Sequence, residues 1–171
     1  MFEIIPAIDI LDRKCVRLTQ GKFEEKTIYS DNPVDIAKDF ERKGAKRLHI
    51  VDLDGARTGV LVNFSLIKEI VKSVDIKVQV GGGIRELHVV RDLFEAGIDR
   101  IIIGTIAIRK PRLLKEICDW YGEHIAISID SKEGKVAVEG WKKTSEVTPI
   151  DFAKEAIEAG VKRIIYTCLL Y

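Results

Sequence analysis

The sequence predicts an α/β fold, a (βα)₈ barrel made of two similar halves, of which these 171 residues supply about six βα units as an incomplete barrel. Two observations predict it. Short apolar runs alternate with amphipathic stretches, and an internal repeat pairs units one and two with units five and six. Alternation without a linker implies a parallel sheet in a single domain spanning residues 1–171.

The strand candidates, in order, are EIIPAID, RLHIVDL, IKVQV, RIIIGT, HIAISID and RIIYT. Each is apolar at consecutive positions, which predicts burial on both faces, as parallel sheets require. The first connection, RKCVRLTQGKFEEKTIYS, is too long and too rich in β formers for a turn. It is expected to form a hairpin or an active-site loop. The first helix is DNPVDIAKDFERKG, with Asp31 or Asn32 as N-cap, Pro33 in the first turn and Gly44 at the stop. RELHVVRDLFEAG and TPIDFAKEAIEAG also end in glycine, and NFSLIKEIVKSV and KPRLLKEICDWYG complete the helices.

Residues 32–53 align without gaps on residues 148–169, with eight of 22 positions identical. The matches include Pro33 with Pro149, Asp35 with Asp151, Gly44 with Gly160 and Arg47 with Arg163. AIDILDRK also meets SIDSKEGK, pairing Asp9 with Asp130 at an offset of 121 rather than 116. Four units per half make eight in all. The repeat sets Cys168 against Asp52, so CLLY reads as a foreign or frameshifted tail on a barrel truncated after strand six.

Composition excludes several classes. The chain is 46% apolar and 32% charged, with net charge +1 and its charges interspersed, which argues against nucleic acid as a partner. No run approaches the ~18 apolar residues of a membrane span, and the start has no signal-peptide pattern. Cys15, Cys118 and Cys168 are scattered, which suits a reducing cytoplasm and neither zinc nor a disulfide framework. Many Lys, Arg and Glu beside two Asn and two Gln lean toward a thermophile.

In such barrels the C-terminal strand ends carry the chemistry. Asp9 and Asp130 each end an apolar run, and duplication would set them opposite one another at the barrel mouth. Two carboxylates whose environments separate their pKa values suit paired acid/base work. Asp52 and Asp54 read instead as turn-makers before Gly55. Gly81, Gly82 and Gly83 follow a strand and precede a helix, a pattern suited to phosphate, and Gly104 and Thr105 stand ready to close that site. A Walker loop and a strand-linked GxGxxG are missing, so nucleotide readings are weak. His49 alternates so as to face the barrel interior, as a ligand contact or as a structural histidine. His88 falls on a helix and His124 at the start of a strand. Trp141 reads as a ring for stacking on a substrate or as a cover for the rim. Arg17 and the Gln20–Gly21 pair read as a solvated loop or a mobile lid with a cationic anchor.

Taken together, IPAIDI, VRLTQGK, LHIVDLDGA, QVGGGIR, IIIGTIA, SIDSKEGKVAVEGW and RIIYT resemble the ProFAR isomerases of histidine biosynthesis, from residue 4 to about residue 167. The sister cyclases share the repeat and the paired aspartates, but they read CLDV at the first strand and lack VDLDGA. The resemblance implies a TIM barrel and an Amadori rearrangement of a bisphosphorylated imidazole-carboxamide ribotide, with no metal or organic cofactor. It implies Asp130 as general acid and Asp9 as base, with Gly81 to Gly83, Gly104 and Thr105 on a phosphate. Arg17, Gly21, His49, Trp141 and Thr167 become substrate contacts. Two other readings stay open, the cyclase subunit of imidazole glycerol phosphate synthase and an inactive phosphate-binding fragment. With EIIPAID and RIIYTCLLY as bare edges, the truncated chain is expected to self-associate.

Overall fold

The computed structural model describes residues 2–138 and 143–168. β1 (Ala7–Leu11), β2 (Lys14–Thr19) and β3 (Lys22–Ser30) form an antiparallel meander that leads into α1 (Pro33–Arg42). Next come β4 (Arg47–Asp52), α2 (Leu53–Thr58), α3 (Phe64–Ser73), β5 (Lys77–Gly81) and α4 (Leu87–Glu95). They are followed by β6 (Arg100–Ile103), α5 (Thr105–Arg109), α6 (Pro111–Tyr121) and a 3₁₀ turn (Gly122–His124). The described chain closes with β7 (Ile125–Lys132), β8 (Lys135–Val138), β9 (Lys143–Thr144), α7 (Pro149–Glu158) and β10 (Ile164–Cys168). Strands β1, β4, β5, β6, β7 and β10 run parallel as neighbours in that order. This is the topology of six consecutive βα units.

The repeat predicted from the sequence is present in register as well as in residue identity. β1 turns into β2 through Asp12–Arg13, at φ +51° and +63°, with Leu11 opposite Lys14. β7 turns into β8 through Glu133–Gly134, at φ +52° and +78°, with Lys132 opposite Lys135. Both are two-residue hairpins with left-handed turn residues, whose twist matches the flanking strands. Asp9 lies opposite Val51 on β4, and Asp130 lies opposite Thr167 on β10. The five residues that separate the two offsets fall between the hairpin turns and the helix caps, where the longer β3 absorbs them. The caps match too. Asn32 accepts from Val34 N at 3.2 Å and Thr148 from Asp151 N at 3.2 Å, each with proline next in the chain. Of the two candidates for the first cap, Asn32 is the one used.

The expectation that the strands are apolar on both faces needs correction. Ile8, Ile10, Leu48, Ile50, Val80, Ile101, Ile103, Ile125 and Ile127 are fully buried, in one core with Ile67, Ile70, Val90, Leu93 and Phe152 of the helices. Each such side chain contributes about 1.5–3 kcal/mol on burial. The alternate positions point to the other face and include Asp9, His49, Gln79, Ser128 and Asp130. Short strands concealed this, because one or two polar residues among Ile and Val do not break an apolar run. Other boundaries move as well. β1 starts only at Ala7, and His124 ends the 3₁₀ turn rather than starting a strand. The edge of β1 is not bare, since β2 pairs with it over Asp9–Leu11, whereas β10 pairs only with β7 among the described residues.

Candidate functional site

A cavity of about 310 Å³ opens at the C-terminal ends of β4, β5, β6, β7 and β10. It brings together most of the residues that the sequence singled out: His49, Gly81, Gly82, Gly83, Gly104, Thr105, Asp130 and Thr167. Arg85 and Ser128 also line it, and sequence reasoning had assigned neither. The signal for Ser128 was its place two residues before Asp130, which puts both side chains on one face of the strand.

Asp130 is held from two sides. Ser128 Oγ donates to Oδ1 at 2.8 Å, and Thr167 Oγ1 donates to the same oxygen at 2.6 Å. Thr167 reaches it because β10 places it directly opposite Asp130 in the sheet. Two hydroxyl donors fix the carboxyl rotamer and leave its orientation toward the cavity set before any ligand arrives.

Asp9 is half-buried, four strands away from Asp130 in sheet order, and does not line the cavity. Burial raises its pKa to about 6, against the opposing charge of Arg17. The two aspartates therefore sit in different surroundings, one desolvated, the other bonded by hydroxyls. Arg17 is a strand residue of β2, exposed and opposite Thr27, not part of a mobile loop. Gly21 makes the β2–β3 turn with Gln20, at φ +72° and +51°, and also lies away from the cavity wall. Trp141 falls outside the described residues.

The glycine loop has a structural reason beyond any ligand. Gly82 adopts φ +103°, and a Cβ there would stand 2.2 Å from the Asp52 carbonyl oxygen. Gly83, at φ +74°, would meet Val60 backbone at 2.8 Å. The loop is thus packed onto the end of β4 and the segment after α2. Over Gly104 there is nothing within 4 Å of a notional Cβ, so there the space belongs to the cavity.

Asp52 anchors that packing. Fully buried, it accepts from Gly55 N at 2.9 Å, Val62 N at 2.8 Å, Asn63 N at 3.0 Å and Asn63 Nδ2 at 2.7 Å. Asp54 accepts from Asp12 N at 2.9 Å and from Asn63 Nδ2 at 3.0 Å, tying α2 to the β1–β2 turn. Both carboxylates are engaged in holding local structure, as the sequence suggested. His49 is held below its ordinary pKa by burial, while the negative charge of Asp130 pulls it the other way. Among the described residues no three His, Cys, Asp or Glu side chains group as a metal site would require. No helix there is long and apolar enough to cross a membrane.

Residues 3–170 match the family described as histidine biosynthesis protein. A protein of Dehalococcoides mccartyi named 1-(5-phosphoribosyl)-5-((5-phosphoribosylamino)methylideneamino)imidazole-4-carboxamide isomerase is 52% identical over 165 residues, 96% of this chain and 70% of its own. Proteins of the same name from Prochlorococcus marinus and Acetivibrio thermocellus are 53% and 51% identical, again over 96% of this chain, with 64% and 69% of their own lengths matched. The chain spans about two thirds of the length of these curated relatives.

Proposed function

The chain belongs to the histidine biosynthesis protein family, within it to the isomerases, and we propose that its site serves the Amadori rearrangement of a bisphosphorylated imidazole-carboxamide ribotide. One observation supports this above the others. A single cavity joins the glycine loop, Gly104 and Thr105 to a carboxyl group that two hydroxyls hold in place. In this reading a phosphate of the ligand lies against Gly104 and Thr105, with Arg85 on the same wall as its cationic neighbour. Asp130 gives a proton to the ribose ring oxygen, and the ring opens. Asp9 takes the proton from carbon 2, and the resulting enolamine becomes the aminoketose as carbon 1 gains a proton and the carbon-2 hydroxyl loses one. A carboxyl with a pKa of about 6 is poised for the second task, because it is largely ionised at neutral pH yet more basic than an ordinary aspartate. No step calls for an electron acceptor or a metal. The setting is a reducing cytoplasm, in which the buried thiols of Cys15 and Cys118 stay free.

Turnover of the ribotide tests the proposal, with the chain assayed alone and joined to the remaining third of a relative. Where turnover is found, Asp9→Asn and Asp130→Asn are each expected to lower kcat by about 10²–10⁴ with little change in KM. Rates within a few-fold of the parent would remove both assignments. Ammonia-dependent cyclisation without isomerisation would move the chain to the cyclase reaction.

A further inference from the structure

His49 lies on the cavity wall with one ring nitrogen already committed. Gln79, its neighbour across the β4–β5 ladder, sets its amide nitrogen 3.1 Å from Nδ1. Gln79 is itself only 3% exposed, and its carbonyl oxygen accepts from Arg100 Nη1 at 2.9 Å, on the next strand in register. The chemistry sets the direction of both bonds. Burial pulls Arg100 below its ordinary value, yet a guanidinium stays charged at neutral pH and has only donors to offer. It must therefore face the amide oxygen. Turning the amide over would place its NH₂ against the guanidinium N–H groups. The amide nitrogen thus faces His49, and since that nitrogen only donates, Nδ1 must accept. The ring proton is left on Nε2, which bonds no other described residue.

We propose that Arg100 and Gln79 are positioning residues that hold His49 as the neutral Nε2–H tautomer, a hydrogen-bond donor for an acceptor oxygen of the phosphoribosyl ligand. The ligand's identity rests on the functional reading above; the tautomer does not. An imidazolium would set an Nδ1–H against the amide N–H, so the same relay resists protonation. Asp130 is the charged group facing the ring, and it acts in the opposite sense to burial. The three side chains form a line across β4, β5 and β6, each fixed by the one before it. The arrangement presents the His49 donor beside the Asp130 carboxyl group on one cavity wall, so a ligand oxygen can be held next to the atoms on which Asp130 acts.

Long-range ¹H–¹⁵N correlation spectra of the 171-residue chain with ¹⁵N-labelled histidine test this without any turnover. His49→Gln assigns the signals. The expected result at neutral pH is a protonated Nε2 and an unprotonated Nδ1. Gln79→Glu should move the proton to Nδ1 and raise the titration of His49 by roughly 1–3 units, the size of an adjacent opposite charge. Arg100→Met frees the amide to turn over and should give a mixture of tautomers. An Nδ1–H or imidazolium form in the parent at neutral pH would overturn the proposal, and that spectrum needs no variant to fold. Spectra unchanged in both variants would overturn it equally. An inactive chain showing the expected spectrum would count against the isomerase reading alone.

Discussion

Asp9 illustrates how one residue links stability to chemistry. Its folded pKa of about 6 lies above the 3.8 of an ordinary aspartate, because burial penalises the ionised form. The unfolded chain therefore loses this proton at lower pH than the folded one. The penalty is absent below about pH 4, grows between about 4 and 6, and stays constant above that. Asp9→Asn should then be more stable than the parent at pH 7, by about 1–3 kcal/mol, with the difference vanishing at acid pH. Urea melts of the two proteins from pH 3.5 to 8 measure it, and a gap that does not change with pH would contradict the assigned burial. Under the proposed function, the ionised form that burial penalises is the one that acts as base. The likeness of Asp9 to Asp130 was legible in the sequence through the repeat. The contrast between their surroundings was not, since it depends on what β2 and β10 place beside each one.

At the scale of elements, α2 and the glycine loop behave as one joint. Asp52 gathers three backbone N–H groups and the Asn63 amide, and Gly82 rests on the Asp52 carbonyl. Gly82→Ala should consequently destabilise the fold by more than about 2 kcal/mol, from its left-handed backbone and the collision with β4. Thermal and urea melts check this, and a loss below 0.5 kcal/mol would mean that the loop yields readily. The three glycines read from the sequence as a phosphate loop. Folding divides the glycines of that predicted site, with Gly82 and Gly83 of the loop serving the packing and Gly104, after the next strand, facing open space. Spacing cannot make that division, because a glycine looks the same whether its missing Cβ makes room for backbone or for a ligand.

The whole molecule presents an unequal pair of sheet ends. On one side the β2–β3 meander folds against β1, though β3 itself carries exposed Ile28 and Tyr29. On the other, β10 has one strand neighbour among the described residues and exposes Ile164 and Tyr166, at 40% and 61%. A parallel strand with unpaired backbone groups and exposed apolar side chains is a template for association. We propose that the 171-residue chain self-associates through this edge. Size exclusion with light scattering should give species above 19.3 kDa whose proportion rises with concentration. A monodisperse monomer over a hundredfold range of concentration would exclude it.

The sequence by itself determined the strand–helix alternation, the half-barrel repeat, the helix caps with their prolines, and most of the residues that meet at the cavity. These are local properties, written in periodicity, in cap and turn residues, and in positions that match across the duplication. Only the tertiary structure decided which strand face meets the helices and which meets the cavity. It alone showed that Arg17 belongs to a strand, that Gly21 closes a turn away from the cavity, and that Gly82 is filled from behind by β4. It alone joined Arg100, Gln79 and His49, which lie 21 and 30 residues apart in the chain but side by side across three strands. The physical reason is register. Which side chains meet across a parallel sheet depends on how strands from distant segments align, and a one-residue shift would send each of these side chains to the opposite face.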